Sequence, residues 1–368
     1  MKRILKASTA LFLAALLITA SGTIAFAKTA QKTADERIEE ILKGMTLEEK
    51  IAQMILYDLP ESPKKTQEKY QFGGYLLFAD TFENETEASI KKKIKKWQKV
   101  SKVKLLIAVD EEGGGINRVS KFSQFRSEPF PSPKFLRKNG GLEAVIKDSA
   151  EKAQFLKALG INTNLAPVAD TPYKASDYIA YRAYSTGAVK NARFVKTVVT
   201  EMNEYKCVSC LKHFPGYGGN GNTHTDIIRD KRSLKTYETR DLKPFKAGIK
   251  AGAPMILVNH DIINAFDNNN PASISKKVHK YLRKELGYKG VIMTDSLNMA
   301  AAKDFVGDDA KLAVKAVQAG NDMLCTGYGI TAVNAITKAV KDGKITEKRI
   351  NQSVRRILRM KLEYGIIR

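Results

Sequence analysis

Residues Leu211–Asp230 read LKHFPGYGGNGNTHTDIIRD, an order that suits chemistry better than packing. A strand-like apolar run ends in Lys212 and His213, and Pro215 has no N–H with which to continue a ladder. The loop beyond carries four glycines and two asparagines and ends in Asn222-Thr223-His224-Thr225-Asp226. Glycine brings no side chain to a core and loses the most entropy on ordering. A long glycine-rich loop with titratable groups is therefore read as part of a site. A second candidate closes the apolar run 291–295, where Asp295 would be held rigidly at a strand end. Imidazole titrates near neutrality, so His224 on a flexible loop can donate a proton and then take one back. A fixed carboxylate and a mobile proton carrier suit the cleavage of a glycosidic bond. Its oxocarbenium-like transition state needs an anion beneath the ring and an acid at the leaving oxygen.

These groups need a frame. Eight strand-like runs recur along the chain, at 53–57, 74–78, 105–110, 162–168, 207–213, 255–260, 291–295 and 322–325. Stretches with 3.6-residue apolar spacing lie between most of them, among them 142–159, 188–205, 276–286 and 311–319. Before the first strand, 34–43 reads as a helix, and Thr46-Leu47-Glu48-Glu49 is a capping box that opens another. Strands of near-continuous Val, Ile and Leu alternating with helices imply a parallel sheet covered on its outer side. Eight such units in about 300 residues imply an α/β fold, a single (β/α)₈ TIM-type barrel. Sites on such barrels collect at the carboxyl ends of strands. There stand Asp110-Glu111-Glu112-Gly113-Gly114, Lys212-His213, His260-Asp261 and Thr294-Asp295-Ser296. The remaining histidine, His279, falls in a lysine-rich helical stretch and is expected in solvent.

Other chemistries fit less well. Gly216, Gly218 and Gly221 satisfy G-x-G-x-x-G, but the helix that would face a dinucleotide pyrophosphate does not follow. His213, His224, His260 and Asp295 offer metal ligands without any H-x-H or H-x-x-x-H pair, so neither a metal nor a cofactor is expected. Cys207 and Cys210 have half-site spacing and no second pair, so both are expected as small buried residues; with Cys325 as the third cysteine, a disulfide would leave one thiol odd. Lys91–Lys96 is the wet face of an amphipathic helix whose apolar face holds Ile90, Ile94 and Trp97. The formal net charge of +23 favours polyanionic surroundings such as anionic cell-wall polymers. Scattered lysines without a reading motif argue against nucleic acid. Lys2, Arg3 and Lys6, the apolar run 10–20 and Ala25-Phe26-Ala27 make residues 1–27 a secretory signal, too short for a confident span. Export without stable membrane insertion after cleavage is expected, with 28–368 as one barrel domain.

Five segments share a further property. MTLEEKIAQM at 45–54, IAVDEEGG at 107–114, NLAPVAD at 164–170, KHFPG at 212–216 and GVIMTD at 290–295 resemble glycoside hydrolase family 3, in its β-N-acetylglucosaminidase branch. The resemblance covers nearly the whole mature chain. It implies a retaining mechanism in which Asp295 attacks the anomeric carbon. It also implies a loop Asp-x-His dyad as acid/base, with His224 at the histidine position. Asp110, Arg182, Lys212 and His213 match the residues that hold the N-acetylglucosamine hydroxyls. Two departures stand out. Asn222 occupies the dyad's aspartate position, where an amide can accept a hydrogen bond but cannot stabilise imidazolium by charge; Asp226 is the candidate to compensate. Gly115 stands where many relatives have arginine. The expected function is an exported β-N-acetylhexosaminidase that removes terminal β-linked N-acetylglucosamine from cell-wall, peptidoglycan-derived glycans. The alternative is a weakened relative that only binds such glycans, and the intact Asp295 and sugar-binding positions favour activity.

Overall fold

The computed structural model describes residues 32–223 and 225–368; the signal-like start and His224 lie outside the described residues. Runs of Ile, Leu, Val and Met become strands because helices cover one face of the sheet and the barrel interior covers the other. In chain order they are β1 (Ile55–Asp58), β2 (Gly74–Leu76), β3 (Leu106–Val109), β4 (Thr163–Asn164) and β5 (Val208–Phe214). Then come β6 (Arg229–Asp230), β7 (Met255–Val258), β8 (Ile262–Ile263), β9 (Val291–Thr294) and β10 (Leu324–Thr326). Eight pair in the order β10-β1-β2-β3-β4-β5-β7-β9, each neighbour parallel to the next. A parallel bridge between Met293 and Met323 joins β9 to the entry of β10 and completes the ring. The fold is the expected (β/α)₈ barrel, and each of the eight apolar runs overlaps one of its strands.

Helices Glu87–Lys99, Gly141–Ala158, Ala188–Glu204 and Asp309–Ala319 fall between barrel strands, where the periodicity puts them. In the first of these Ile90, Ile94 and Trp97 are buried, while Lys91, Lys92, Lys93, Lys95 and Lys96 are exposed. Thr46 and Glu49 close their capping box reciprocally, at 3.2 and 3.0 Å. The fourth strand is shorter than its run, because Pro167 has no N–H to give; Val168 still bridges Lys212. The pairing of β6 with β8 has no counterpart in the sequence pattern, since two residues carry no period. It sets Asp230 opposite Ile263 and ties the far end of the glycine-rich loop to the segment after β7. Among the described residues no helix is long and apolar enough to cross a membrane.

Cys207 and Cys210 are buried, as expected; Cys325 is buried too, all three thiols are free, and burial pushes the Cys207 thiol up to about 12. His279 corrects its expectation. It is buried, with Nδ1–H donating to the Ser275 carbonyl at 2.8 Å. Lysines 276, 277 and 280 take the outer face of the helix, and Gly320 leaves the room that the ring fills, since a Cβ there would lie 2.9 Å from His279 Cβ.

The last helix, Glu347–Glu363, buries a lysine. Lys361 Nζ donates to Gln53 Oε1 at 2.9 Å and to the Gly73 carbonyl at 2.8 Å, and burial pulls its pKa from 10.5 to about 7. Between those values the folded chain binds fewer protons than the unfolded one, so this group makes stability rise with pH over that window. Lys361→Met is expected to flatten the rise in urea midpoint between neutrality and about pH 10. A variant with the wild-type slope would show that the charge carries no such cost.

Candidate active site

At the carboxyl end of the barrel lies a cleft of about 520 Å³, within the usual range of a small-ligand site. Asp110, Arg182, Lys212, His213, Asn222 and Asp295 all line it. Asp110 follows β3, Lys212 and His213 belong to β5, and Asp295 follows β9, so the parallel barrel delivers them to one end.

The floor is a relay of opposite charges. Lys212 Nζ stands 2.6 Å from Asp110 Oδ1 and 2.6 Å from Glu112 Oε1. Arg182 forks onto the same Glu112, Nε to Oε2 at 2.9 Å and Nη2 to Oε1 at 2.7 Å, a geometry that fixes the guanidinium plane. Arg182 Nη2 also lies 3.2 Å from His213 Nε2, and His213 Nδ1 lies 2.7 Å from Asp170 Oδ2. Guanidinium can only donate, so His213 Nε2 accepts and its proton sits on Nδ1, toward Asp170. Burial alone would raise the Glu112 carboxyl, but Arg182 and Lys212 hold it well below the usual carboxylate range. Burial likewise opposes charge on Lys212, and Asp110 with Glu112 outweighs it, lifting its pKa. The cations are therefore fixed before any ligand arrives.

Asp295 is anchored at its root. Its N–H donates to the Val258 carbonyl at 2.8 Å, and Ser296 N–H donates to Asp295 Oδ1 at 2.8 Å. The side chain is half-buried and lines the open cleft rather than the packed interior. Asn222, also half-buried, reaches the cleft from the glycine-rich loop. Asp226 is elsewhere. The turn in which its N–H donates to the Asn222 carbonyl at 3.3 Å leaves it exposed, accepting from Thr225 Oγ1 at 2.8 Å, and it does not line the cleft.

His260 is not a rim residue. It is fully buried, Nε2–H donating to the Ser296 carbonyl at 2.9 Å while Ser273 Oγ stands 2.7 Å from Nδ1. It braces the residue beside Asp295. Of the adjacent acids after β3, Glu111 turns inward and accepts from the N–H groups of Arg118, Val119 and Ser120, whereas Glu112 faces the cations. The sequence reading put Glu112 on the rim without telling its part from that of Glu111, and Asp170 and Arg118 escaped it as site residues. Arg118 lines the cleft with Nη2 at 3.6 Å from Asp110 Oδ2, its guanidinium 5.8 Å from the Phe78 ring centre. Its signal was its place shortly after the Asp-Glu-Glu-Gly-Gly run; Gly115, by contrast, is exposed and carries no side chain to the cleft.

Residues 46–360 match the sequence profile described as "Glycosyl hydrolase family 3 N terminal domain". A "Beta-hexosaminidase" of Photobacterium profundum is 30% identical over 270 residues, 73% of this chain and 78% of that protein. An "Uncharacterized secreted glycosyl hydrolase" of Arthroderma benhamiae is 29% identical, over 81% of this chain and 87% of its own length. The solved structure of a glycoside hydrolase family 3 β-N-acetylglucosaminidase from Paenibacillus sp. str. FPU-7 superposes with a TM-score of 0.81 at 28% identity. That alignment covers 88% of this chain and 63% of the Paenibacillus chain, so this chain spans less than two thirds of that protein. The profile match runs from the cap of the helix before β1 into the last helix, through every strand that builds the cleft, and the chain belongs to glycosyl hydrolase family 3.

Proposed function

We propose that this protein is an exported, retaining β-N-acetylhexosaminidase that removes terminal β-linked N-acetylglucosamine from peptidoglycan-derived glycans of the cell wall. What supports it most is that Asp295 and Asn222 line one cleft above a floor of charges already fixed in position. Preorganised charge costs no rearrangement when the transition state forms. The terminal sugar lies on that floor, its hydroxyls donating to Asp110 and accepting from Lys212 and Arg182. Asp295 Oδ attacks the anomeric carbon as the bond to the leaving oxygen breaks, and the leaving oxygen takes the proton from His224. Neutral His224 then takes a proton from water, whose oxygen displaces Asp295 and restores the β-configuration. An amide at position 222 can accept an N–H from an imidazole, but lacking charge it supports imidazolium less than a carboxylate would. The signal-like start and the net charge of +23 support export toward an anionic wall.

The test is hydrolysis of a chromogenic β-N-acetylglucosaminide followed by proton NMR. The β-anomer of free sugar should appear first and equilibrate later. Early α-anomer would exclude the double displacement, and turnover no better than that of Asp295→Ala would leave a glycan-binding protein.

A further inference from the structure

Among the described residues of the glycine-rich loop between β5 and β6, two points of attachment flank Asn222. Asn220 Nδ2 donates to Asp230 Oδ2 at 2.7 Å and to Asp261 Oδ2 at 2.9 Å. Asp230 lies on β6 and Asp261 just before β8, and both are buried. Arg232 pairs with Asp230 and donates to the carbonyls of Gly216 and Tyr217, at 2.7 and 3.1 Å, where the loop begins. The second point is Thr223. It is buried, its hydroxyl meets Tyr217 Oη, and its carbonyl accepts from Ala301 N at 3.3 Å. Asn222, which lines the cleft, stands between the two anchors.

We propose that Asn220, by clasping Asp230 and Asp261 together, is a positioning residue that holds Asn222 and Thr223 in place at the cleft for proton transfer. This rests on the reading that the loop carries the acid/base. An amide nitrogen suits the task because its two N–H groups leave in different directions and can serve two carboxyl groups at once. The two acids it joins also differ in charge. Burial raises the Asp261 carboxyl to about 8, whereas Arg232 overcomes the burial of Asp230 and lowers its carboxyl. At neutral pH Asp261 therefore carries a proton beside an ionised Asp230. The charged and titratable groups around Asp261 are Asp230, Arg232, Asp170, Tyr217 and Tyr237. Arg232 is already committed to Asp230 and Asp241. When Asp261 ionises, its charge and that of Asp230 repel each other, and the clasp loosens on the alkaline side.

The experiment uses the full chain and two substrates, the β-1,4-linked N-acetylglucosamine disaccharide and the dinitrophenyl β-N-acetylglucosaminide, whose leaving group needs no proton. Asn220→Ala should lower kcat/KM for the disaccharide at least about tenfold, part of what a general acid supplies, and leave the dinitrophenyl value within about threefold. Equal losses on both, or no loss, would overturn the proposal. Asp261→Asn keeps the shape without the ionisation, and should move the alkaline limb of disaccharide kcat/KM upward by about half a pH unit or more. If Asn220→Ala fails to fold, that limb decides, and an unmoved limb counts against the clasp. Wild-type activity no greater than that of Asp295→Ala on either substrate has a different signature: it removes the glycosidase reading and the clasp's role with it.

Discussion

Asp295→Ala is expected to lower kcat on a chromogenic β-N-acetylglucosaminide by about 10⁴-fold or more, as the loss of a covalent nucleophile does elsewhere. The backbone around it gives no reason for collapse, because Asp295 N–H still meets the Val258 carbonyl and His260 still braces Ser296. The floor of the cleft is held by its own ion pairs, Glu112 with Arg182 and Lys212, and Lys212 with Asp110, so KM should change far less than kcat. Azide then distinguishes a nucleophile from any other role. In Asp295→Ala it enters the face that the carboxylate vacated and yields the α-glycosyl azide. In His224→Ala the glycosyl-enzyme forms first from an activated substrate, and azide displaces Asp295 to yield the β-glycosyl azide. A β-azide from the Asp295 variant, or a loss below about tenfold, would remove Asp295 from the nucleophile's place.

Much of this frame was legible because a parallel barrel writes its strands as near-continuous apolar runs and its site at their ends. Asp110, Lys212, His213 and Asp295 could be found that way, each the polar residue at which an apolar run stops. Arg182 could not. It sits in a loop just after a short turn of helix at Tyr178–Tyr181, with no period to announce it, and only the family likeness singled it out. Neighbours on the same loop were also beyond reach of pattern. Glu111 and Glu112 are the same residue type side by side, yet one caps a turn and the other neutralises two cations; the path of the backbone through Gly113 at φ 102° and Gly114 at φ 70° decides which. His279 misled for a related reason, since flanking lysines describe one face of a helix and say little about the other. The anchors of the glycine-rich loop depend on β6 and β8, whose two-residue pairing no local pattern encodes.

Glu112→Gln should be the most damaging change to the floor itself. The side chains of Glu112, Lys212 and Arg182 are 2%, 3% and 9% exposed, so water cannot replace the lost charge. Lys212 would keep Asp110, but Arg182 would exchange its carboxylate fork for an amide with one acceptor. Removing one member of a buried ionic group typically costs about 3–5 kcal/mol, because its partner stays buried and unpaired. Urea denaturation at neutral pH should show a loss of that order, with hydrolysis falling through KM as the Arg182 fork loses its orientation. The pH dependence has a definite sign. The folded carboxyl lies far below its ordinary 4.5, so its contribution is complete above that value and disappears only as the pH falls through the folded one. The gap between wild type and variant should thus stay constant from neutrality down to about pH 4.5 and close only in stronger acid. Arg182→Met placed on Glu112→Gln should recover part of the stability, since the double variant buries no stranded guanidinium. Additive losses in that cycle would mean that the two side chains do not act as a pair, and that the floor is held by Lys212 and Asp110 alone.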